Sequence, residues 1–304
     1  TLDNALKLLV VKSANDIAVA IAESLSGTVE KFAERMNSDA MGLGMNGSTF
    51  INPHGLHDDR QIVTARDMAL LVRAIHRKYP QYTSLFGTPS VLAPIRTKKG
   101  KLIKRLYYSY NLLLERYPGA DGFKTGFVCA SGYNFIGAAT RSGRRLAAIV
   151  LGRDSQTSRA VDAAQLMTEG FQKEAEDSPG PAPTIDRLTP SQPAPLKPQN
   201  MRGTICTKEA RAARYEPGAG QAVIDSPWLA ERIKSENSLE VVLLDRNSAA
   251  VALGQIPLPR YRPQQLPVTS SPVPVASVRA PAPPPVVEAV SYRIPVPTFR
   301  PERL

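Results

Sequence analysis

Two short motifs carry side chains whose types suit chemistry on a peptide-like molecule. Ser13-Ala14-Asn15 offers a hydroxyl for proton transfer and an amide that can hold another amide. Lys124-Thr125-Gly126 offers a fixed cation, a hydroxyl donor for a carboxylate, and a position without a side chain where a second backbone can lie along a strand edge. Brought opposite each other, the two motifs would form a polar site for an anionic peptide end.

Each motif alone is common, and other patterns invite different interpretations. A Ser-x-Asn by itself is usually a helix stop and cap. Residues 42–47 fit the pattern G-x-G-x-x-G, but they follow a predicted helix and lack a βαβ unit, so a dinucleotide site is disfavoured. His54 and His57 have no third ligand in their loop, which argues against a metal site. We therefore expect neither a metal nor an organic cofactor.

Positive charge is concentrated in one short segment. Residues 96–105 contain six cations in ten residues, and the whole chain has 38 Lys and Arg against 27 Asp and Glu, a net charge of +11. This balance suits a polyanionic partner without choosing among nucleic acid, membrane and cell-wall polymer. A nucleic-acid site in this segment is one interpretation. We favour a solvated hairpin beside a cleft, whose field would attract acidic peptides, and expect no nucleic-acid partner.

Helical periodicity comes first along the chain, and strand patterns follow it. Apolar spacing predicts helices over residues 2–10, 17–22, 29–42 and from 65 to near Pro80, with caps at Thr28 and Thr64. Strands are predicted at residues 91–95, 102–108, 133–140 and 145–151, before a closing helix at 156–171. Helices followed by strands predict an α+β fold with an antiparallel sheet.

Proline divides the chain into two regions. Five of the 27 prolines lie in residues 1–170, and the other 22 lie in residues 171–304. We therefore expect a folded domain over residues 1–172 and a Pro-rich, mostly disordered tail over residues 173–304. Cys129 and Cys206 fall in different regions, so we expect them to remain unbridged. No apolar run approaches the ~20 residues of a transmembrane segment, and none is predicted.

In their order along the chain, the two motifs resemble the second and third motifs of the penicillin-recognising serine enzymes. More closely, the sequence resembles the low-molecular-weight D-alanyl-D-alanine carboxypeptidases over residues 1 to about 172. The supporting segments occur in family order: Leu8–Asp16, Met41–Gly44, Asn52–Leu56, Thr64–Leu70, Gly122–Phe127 and Ser131–Asn134. The resemblance implies a β-lactamase/transpeptidase-like fold, in which a helical subdomain accompanies an antiparallel sheet with flanking helices.

The sequence departs from the family at the nucleophile. The family attacks with the serine of a Ser-x-x-Lys motif well upstream of Ser-x-Asn, and no Ser-x-x-Lys occurs among these 304 residues. Thr28-Val29-Glu30-Lys31 has the spacing but follows the second motif, and we interpret it as a helix cap. We expect a family member truncated before its nucleophile, with the fold incomplete at the N-terminus. The alternative is a catalytically dead peptidoglycan- or β-lactam-binding module, or an envelope scaffold protein.

The resemblance implies a role for each catalytic side chain that remains. Ser13 would relay a proton to the leaving amine, and Asn15 would hold the acyl-side amide. Lys124 would offset the charge of the substrate carboxylate and polarise Ser13. Thr125 would hydrogen-bond that carboxylate.

The resemblance also implies which groups bind the substrate, what the substrate is and where the reaction takes place. The backbone N–H of Phe127 would be an oxyanion donor. Arg159, or alternatively Arg153, would meet the terminal carboxylate. The substrate would be the peptidoglycan stem peptide, whose terminal D-alanine is removed through an acyl-serine intermediate in the periplasm or cell envelope. Endopeptidase action on cross-links stays open, and β-lactams would inhibit the complete enzyme.

Overall fold

The computed structural model describes residues 1–173, 184–188, 198–214, 226–232 and 238–241. The α-helices in this part of the chain are α1 (Leu2–Lys7), α2 (Asn15–Ser26), α3 (Val29–Gly42), α4 (Ala65–Lys78), α5 (Thr83–Phe86), α6 (Gln156–Gln172), α7 (Arg202–Ile205) and α8 (Lys208–Arg214). The strands are β1 (Ser90–Arg96), β2 (Leu102–Tyr108), β3 (Ala120–Val128), β4 (Gly132–Arg141), β5 (Arg144–Arg153) and β6 (Ser238–Glu240). Short 3-10 turns lie at Pro80–Tyr82, Leu112–Glu115 and Ile185–Arg187, and a π-helical turn, Leu8–Lys12, follows α1.

Side-chain caps start the long helices where the sequence predicts them. The hydroxyls of Thr28 and Thr64 each accept a hydrogen bond from the backbone N–H three residues on, at 3.2 and 3.1 Å. Asp67, the third residue of α4, is buried and accepts from Gly47 N at 2.9 Å and Ser48 Oγ at 2.7 Å. It therefore fastens the loop after α3 onto the start of α4.

The first sheet, in the order β3-β4-β5, is antiparallel and lies between two helices. On one face it packs against α6, whose buried residues recur at helical spacing: Ala160, Ala163, Ala164 and Met167. On the other face Phe123 and Ala138 contact Val72 of α4. The alanines of α6 bring the helix close to the sheet, so the central strand β4 is covered on both faces. The predicted α+β architecture with an antiparallel sheet is confirmed.

The second sheet has the order β2-β1-β6. β1 pairs antiparallel with β2 and parallel with β6, where Ser90 lies opposite Ser238. Val91 and Ala93 of β1 pack against Val11 of the π-helical turn and against Val241. The sheet therefore positions the turn that carries Ser13.

Described segments beyond residue 173 pack on the domain. Besides β6, Leu229 is buried in the same core cluster as Leu113 and Met167, and Trp228 packs against that cluster. These segments belong to one compact unit with residues 1–173. These segments hold ordered structure, and the expectation of a mostly disordered tail over 173–304 stays a prediction. The other residues of that range lie outside the described part of the chain.

The expectation about the cysteines is wrong, because Cys129 and Cys206 form a disulfide across 77 residues. Cys129 follows β3 and Cys206 ends α7. The chain returns to the strand end through Met201, whose backbone N–H donates to Ala130 O at 2.9 Å. None of the described helices is both long and apolar enough to cross a bilayer.

Candidate active site

β3 presents the Lys-Thr-Gly motif along the edge of the first sheet. Within the described residues β3 pairs only with β4, in a register that places Thr125 opposite Phe135. Lys124 lies in the middle of the strand and not at its end, and Gly126 is exposed two residues further on. An unpaired strand edge offers backbone donors and acceptors to an extended peptide. The motif therefore combines a hydrogen-bonding edge with a fixed cation.

Ser13 reaches this edge from the helical part of the fold. It ends the π-helical turn in a left-handed conformation, with φ 56° and ψ 46°. A non-glycine residue in this region is strained and is found preferentially at functional sites. Its Oγ accepts a hydrogen bond of 2.8 Å from Lys124 Nζ. The fold thus joins the two predicted motifs across 111 residues of sequence.

Burial controls the electrostatics of Lys124. Desolvation and, to a lesser extent, the charge of Arg159 together lower its pKa from 10.5 to about 8. The ammonium donates to Ser13 Oγ and to Thr125 O, both at 2.8 Å, and none of the ion pairs in the described structure includes it. A desolvated cation without a carboxylate partner favours binding of an anion at this edge.

Arg159 lies behind the strand, not on its open edge. The residue is 4% exposed, and its guanidinium donates to Gly126 O at 3.0 Å, Asn134 O at 3.2 Å and Tyr110 O at 3.3 Å. Burial lowers its pKa to about 10. These bonds hold β3 and β4 in place at the Lys-Thr-Gly motif, so the geometry supports a positioning role. Direct contact between Arg159 and a substrate carboxylate stays a prediction.

Arg153, the alternative carboxylate partner, is occupied elsewhere. Its Nε lies 2.8 Å from Asp162 Oδ2, and its side chain is 44% exposed. The pair joins the end of β5 to α6. Of the two arginines, the structure therefore brings only Arg159 into contact with the motif.

Two other predicted residues lie at the rim of the site. Phe127 is 43% exposed, and its ring stacks on that of Tyr133 with centroids 4.1 Å apart. Asn15 is the first residue of α2, and its side chain is exposed. Asn15 lies two residues from Ser13, and Phe127 directly follows the Lys-Thr-Gly motif.

Sequence reasoning missed Lys12 and Tyr110. Lys12 Nζ donates to Tyr110 Oη at 2.8 Å and lies 5.4 Å from the ring centroid of Tyr107. The carbonyl of Tyr110 accepts from Arg159, so Tyr110 links the turn before Ser13 to the arginine behind β3. Lys12 precedes Ser13 directly, but no spacing pattern pairs it with a tyrosine from the distant loop after β2.

The site presents hydroxyl, ammonium and backbone groups. Within the described residues, no three His, Cys, Asp or Glu side chains are grouped as metal ligands. Of the two histidines singled out from the sequence, His57 Nε2 lies 3.2 Å from Asp59 Oδ1, and His54 Nδ1 accepts from Leu56 N at 3.1 Å. The predicted histidine loop is therefore held together by local contacts.

The fold is similar to that of solved DD-carboxypeptidases and DD-transpeptidases. The profile of the D-alanyl-D-alanine carboxypeptidase family, Peptidase S11, matches residues 1–155, and the chain belongs to this family. Over 164 residues it is 34% identical to D-alanyl-D-alanine carboxypeptidase DacA of Haemophilus influenzae. The alignment covers 54% of this chain and 40% of the relative.

Two solved structures share the fold. The D-alanyl-D-alanine carboxypeptidase DacD from Francisella tularensis superposes with a TM-score of 0.53 at 28% identity, covering 56% of this chain and 52% of the other. The Streptomyces K15 DD-transpeptidase also gives 0.53 at 28% identity, covering 57% and 68%. The chain spans about two fifths of the length of the H. influenzae relative. Family membership thus rests on the region that carries both motifs.

Proposed function

We propose that this site is the substrate-binding and proton-relay part of a serine-type D-Ala-D-Ala carboxypeptidase acting on peptidoglycan stem peptides in the bacterial envelope. The observation that carries the proposal is the 2.8 Å hydrogen bond from Lys124 Nζ to Ser13 Oγ at the open edge of β3. The family and its named relatives supply the reaction class.

Each side chain then has a defined task. The stem peptide extends along β3 beside Gly126, and its terminal carboxylate accepts from the Thr125 hydroxyl and faces the Lys124 ammonium. Because Lys124 donates to Ser13 Oγ, the hydroxyl hydrogen of Ser13 points away from the lysine, towards the leaving amine. Ser13 passes this proton to the amine as the C–N bond breaks and takes one from Lys124.

A pKa of about 8 suits this relay. Near neutral pH Lys124 is mostly protonated, so it can hold an anion and still release a proton at modest cost. A lysine with its ordinary pKa would hold the proton about 300-fold more tightly. Arg159 contributes by keeping β3 in register and by adding positive charge behind Lys124.

The covalent step needs a serine and base that the family carries in its Ser-x-x-Lys motif, a motif that these 304 residues do not contain. With such a serine in place, β-lactams would acylate it because their carboxylate and amide resemble the D-Ala-D-Ala end. Which molecule then accepts the acyl group from the serine is a separate property from acylation. One of the two solved relatives is named a carboxypeptidase and the other a transpeptidase.

Reversible binding tests the proposal on the chain itself. In an NMR titration, a peptide ending in D-Ala-D-Ala should shift resonances of β3, and the same peptide with an amidated C-terminus should bind at least tenfold more weakly, since a charge-assisted hydrogen bond contributes about 1.5–3 kcal/mol. Lys124→Met should have the same effect, and Lys31→Met on the exposed face of α3 should not. Equal binding of the acid and the amide would contradict the proposal.

The missing motif favours a second candidate, a non-catalytic peptidoglycan-binding module. The genomic sequence upstream of residue 1 distinguishes the two, because a Ser-x-x-Lys motif there would supply the catalytic serine. A fluorescent penicillin tests whether the chain itself contains a nucleophile, because a catalytic serine gives a labelled band that survives denaturing electrophoresis. We expect the 304-residue chain to give none, whereas a covalent band would locate a nucleophile that sequence analysis missed.

A further inference from the structure

The hairpin of β1 and β2 has an unusual surface. Every residue from Lys98 to Leu106 is exposed, and both faces of β2 are open over most of its length. The tip of the hairpin and β2 therefore project from the domain, whereas β1 packs on its core. Large apolar side chains are exposed here as well as charged ones, with Leu102 at 49%, Ile103 at 38% and Leu106 at 39%.

Its cations are concentrated at the tip. Lys98, Lys99 and Lys101 lie in and beside a tight turn in which Thr97 N donates to Lys101 O, and Gly100 N to Thr97 O, both at 2.9 Å. Gly100 has φ +78°, which suits the turn. None of the ion pairs in the described structure includes these three lysines. The turn therefore presents three ammonium groups together on a preformed scaffold.

Neighbouring acidic residues offset little of this charge. Lys104, further along β2, pairs with Glu240 of β6. Arg105 lies over the ring of Tyr107, 5.5 Å from its centroid. No acidic residue in the described part of the chain forms an ion pair with the lysines of the tip, which lie directly beside Leu102 and Ile103.

We propose that the β1–β2 hairpin docks on the surface of an anionic lipid bilayer. Lipid headgroups complement the three lysines of the turn. Leu102 and Ile103 lie within the 5–10 Å that interfacial elements penetrate, since strand residues rise about 3.3 Å each. A solvated basic hairpin needs no exposed aliphatic pair at its tip, and such a pair gains nothing from a phosphodiester backbone. The combination favours lipid over nucleic acid.

The proposal does not depend on the reaction that the site performs. It does orient the site, because β1 packs on the π-helical turn that ends at Ser13. A hairpin held at the bilayer would place the edge of β3 at a fixed distance from the lipid surface.

Vesicle sedimentation with the full chain tests the proposal. Vesicles of phosphatidylcholine with about a third phosphatidylglycerol should bind the protein, and pure phosphatidylcholine vesicles should not. Lys98→Gln/Lys99→Gln/Lys101→Gln should weaken binding on the order of 100-fold, at about fivefold per lysine. The matched variant Lys31→Gln/Lys78→Gln/Lys208→Gln removes the same charge elsewhere and should weaken it no more than a few-fold.

A second pair of variants distinguishes lipid insertion from attraction to any polyanion. Leu102→Ser/Ile103→Ser should reduce vesicle binding at least tenfold. Met41→Ser/Leu166→Ser, which alters two exposed apolar residues outside the hairpin, should leave it unchanged. Circular dichroism confirms that each variant is folded. Vesicle binding that is insensitive to the Leu102/Ile103 change, or equal affinity for duplex DNA at the same ionic strength, would overturn the proposal.

Discussion

Lys124 should make the stability of the protein depend on pH in a way that its removal abolishes. Burial and the charge of Arg159 lower its pKa from 10.5 to about 8. Between these values the unfolded chain binds a proton that the folded protein has released, so folding becomes more favourable as the pH rises. At about 1.4 kcal/mol for each tenfold change in proton affinity, the charged lysine opposes folding by about 3 kcal/mol at pH 7.

The variant Lys124→Met isolates this effect. It also removes the hydrogen bonds to Ser13 and Thr125, so its absolute stability is a sum of opposing changes. The pH dependence is the direct test: between pH 7 and pH 9.5 the wild type should gain about 2 kcal/mol relative to the variant.

Urea unfolding can be followed through the fluorescence of Trp228, the single tryptophan, which packs against the main core. Measurements at intervals from pH 7 to pH 9.5 give the difference in the free energy of unfolding. Lys31→Met, on the exposed face of α3, controls for loss of an amino group at the surface. A constant difference between wild type and Lys124→Met over this range would refute the argument that burial destabilises the ammonium.

Three further predictions follow from the same contacts. The affinity for a peptide carboxylate should fall above about pH 8, by up to tenfold per pH unit, in a calorimetric titration of the wild type, and it should be independent of pH in Lys124→Met. Arg159→Met should cost about 3 kcal/mol of stability, because it removes a charged donor from each of three carbonyls, and should raise the pKa of Lys124 in an NMR titration of its Cε resonance; Arg153→Met should do neither. Cys206→Ser should lower the free energy of unfolding by about 4 kcal/mol, given the 77-residue separation, and a reductant should then have no further effect on urea unfolding.

Local patterns predict the secondary structure well in this chain. The predicted strand at 102–108 coincides with β2, and the predicted helix at 156–171 differs from α6 by one residue. Both have strong local determinants: a turn with glycine precedes β2, and Ser155 caps α6 through a reciprocal pair of hydrogen bonds with Ser158. Such signals lie within a few residues of the element they define.

The features that the sequence does not predict are contacts between distant parts of the chain. The pairing of β6 with β1, the burial of Leu229 and the disulfide all involve residues beyond 200, in a region whose proline content predicts an extended chain. A three-residue strand such as β6 has too few positions to show alternation. Proline restricts the backbone locally but does not prevent the residues between prolines from packing on an existing domain.

At the site, too, the motif residues can be predicted from the sequence, but the contacts that surround them cannot. Ser13 and Lys124 can be found from residue type and order, and the resemblance to a family explains why they should meet. The pKa of Lys124 cannot be found in this way, since it depends on burial and on the charge of an arginine from α6. The link from Lys12 through Tyr110 to Arg159 is likewise a product of folding.

The anchoring of β3 explains how an edge strand can serve as a precise binding surface. Asn111, buried beside the 3-10 turn, donates to Gly122 O at 3.0 Å near the start of the strand. Arg159 holds Gly126 O from behind, and the disulfide of Cys129 fastens the chain just past the end. Among the described residues one edge of β3 is thus left open while its backbone is fixed at three points, so a peptide would find its hydrogen-bonding partners already in place. Preorganised donors of this kind need not rearrange when an anionic ligand binds. The bound anion would offset the free-energy cost of desolvating Lys124 and Arg159 next to this strand.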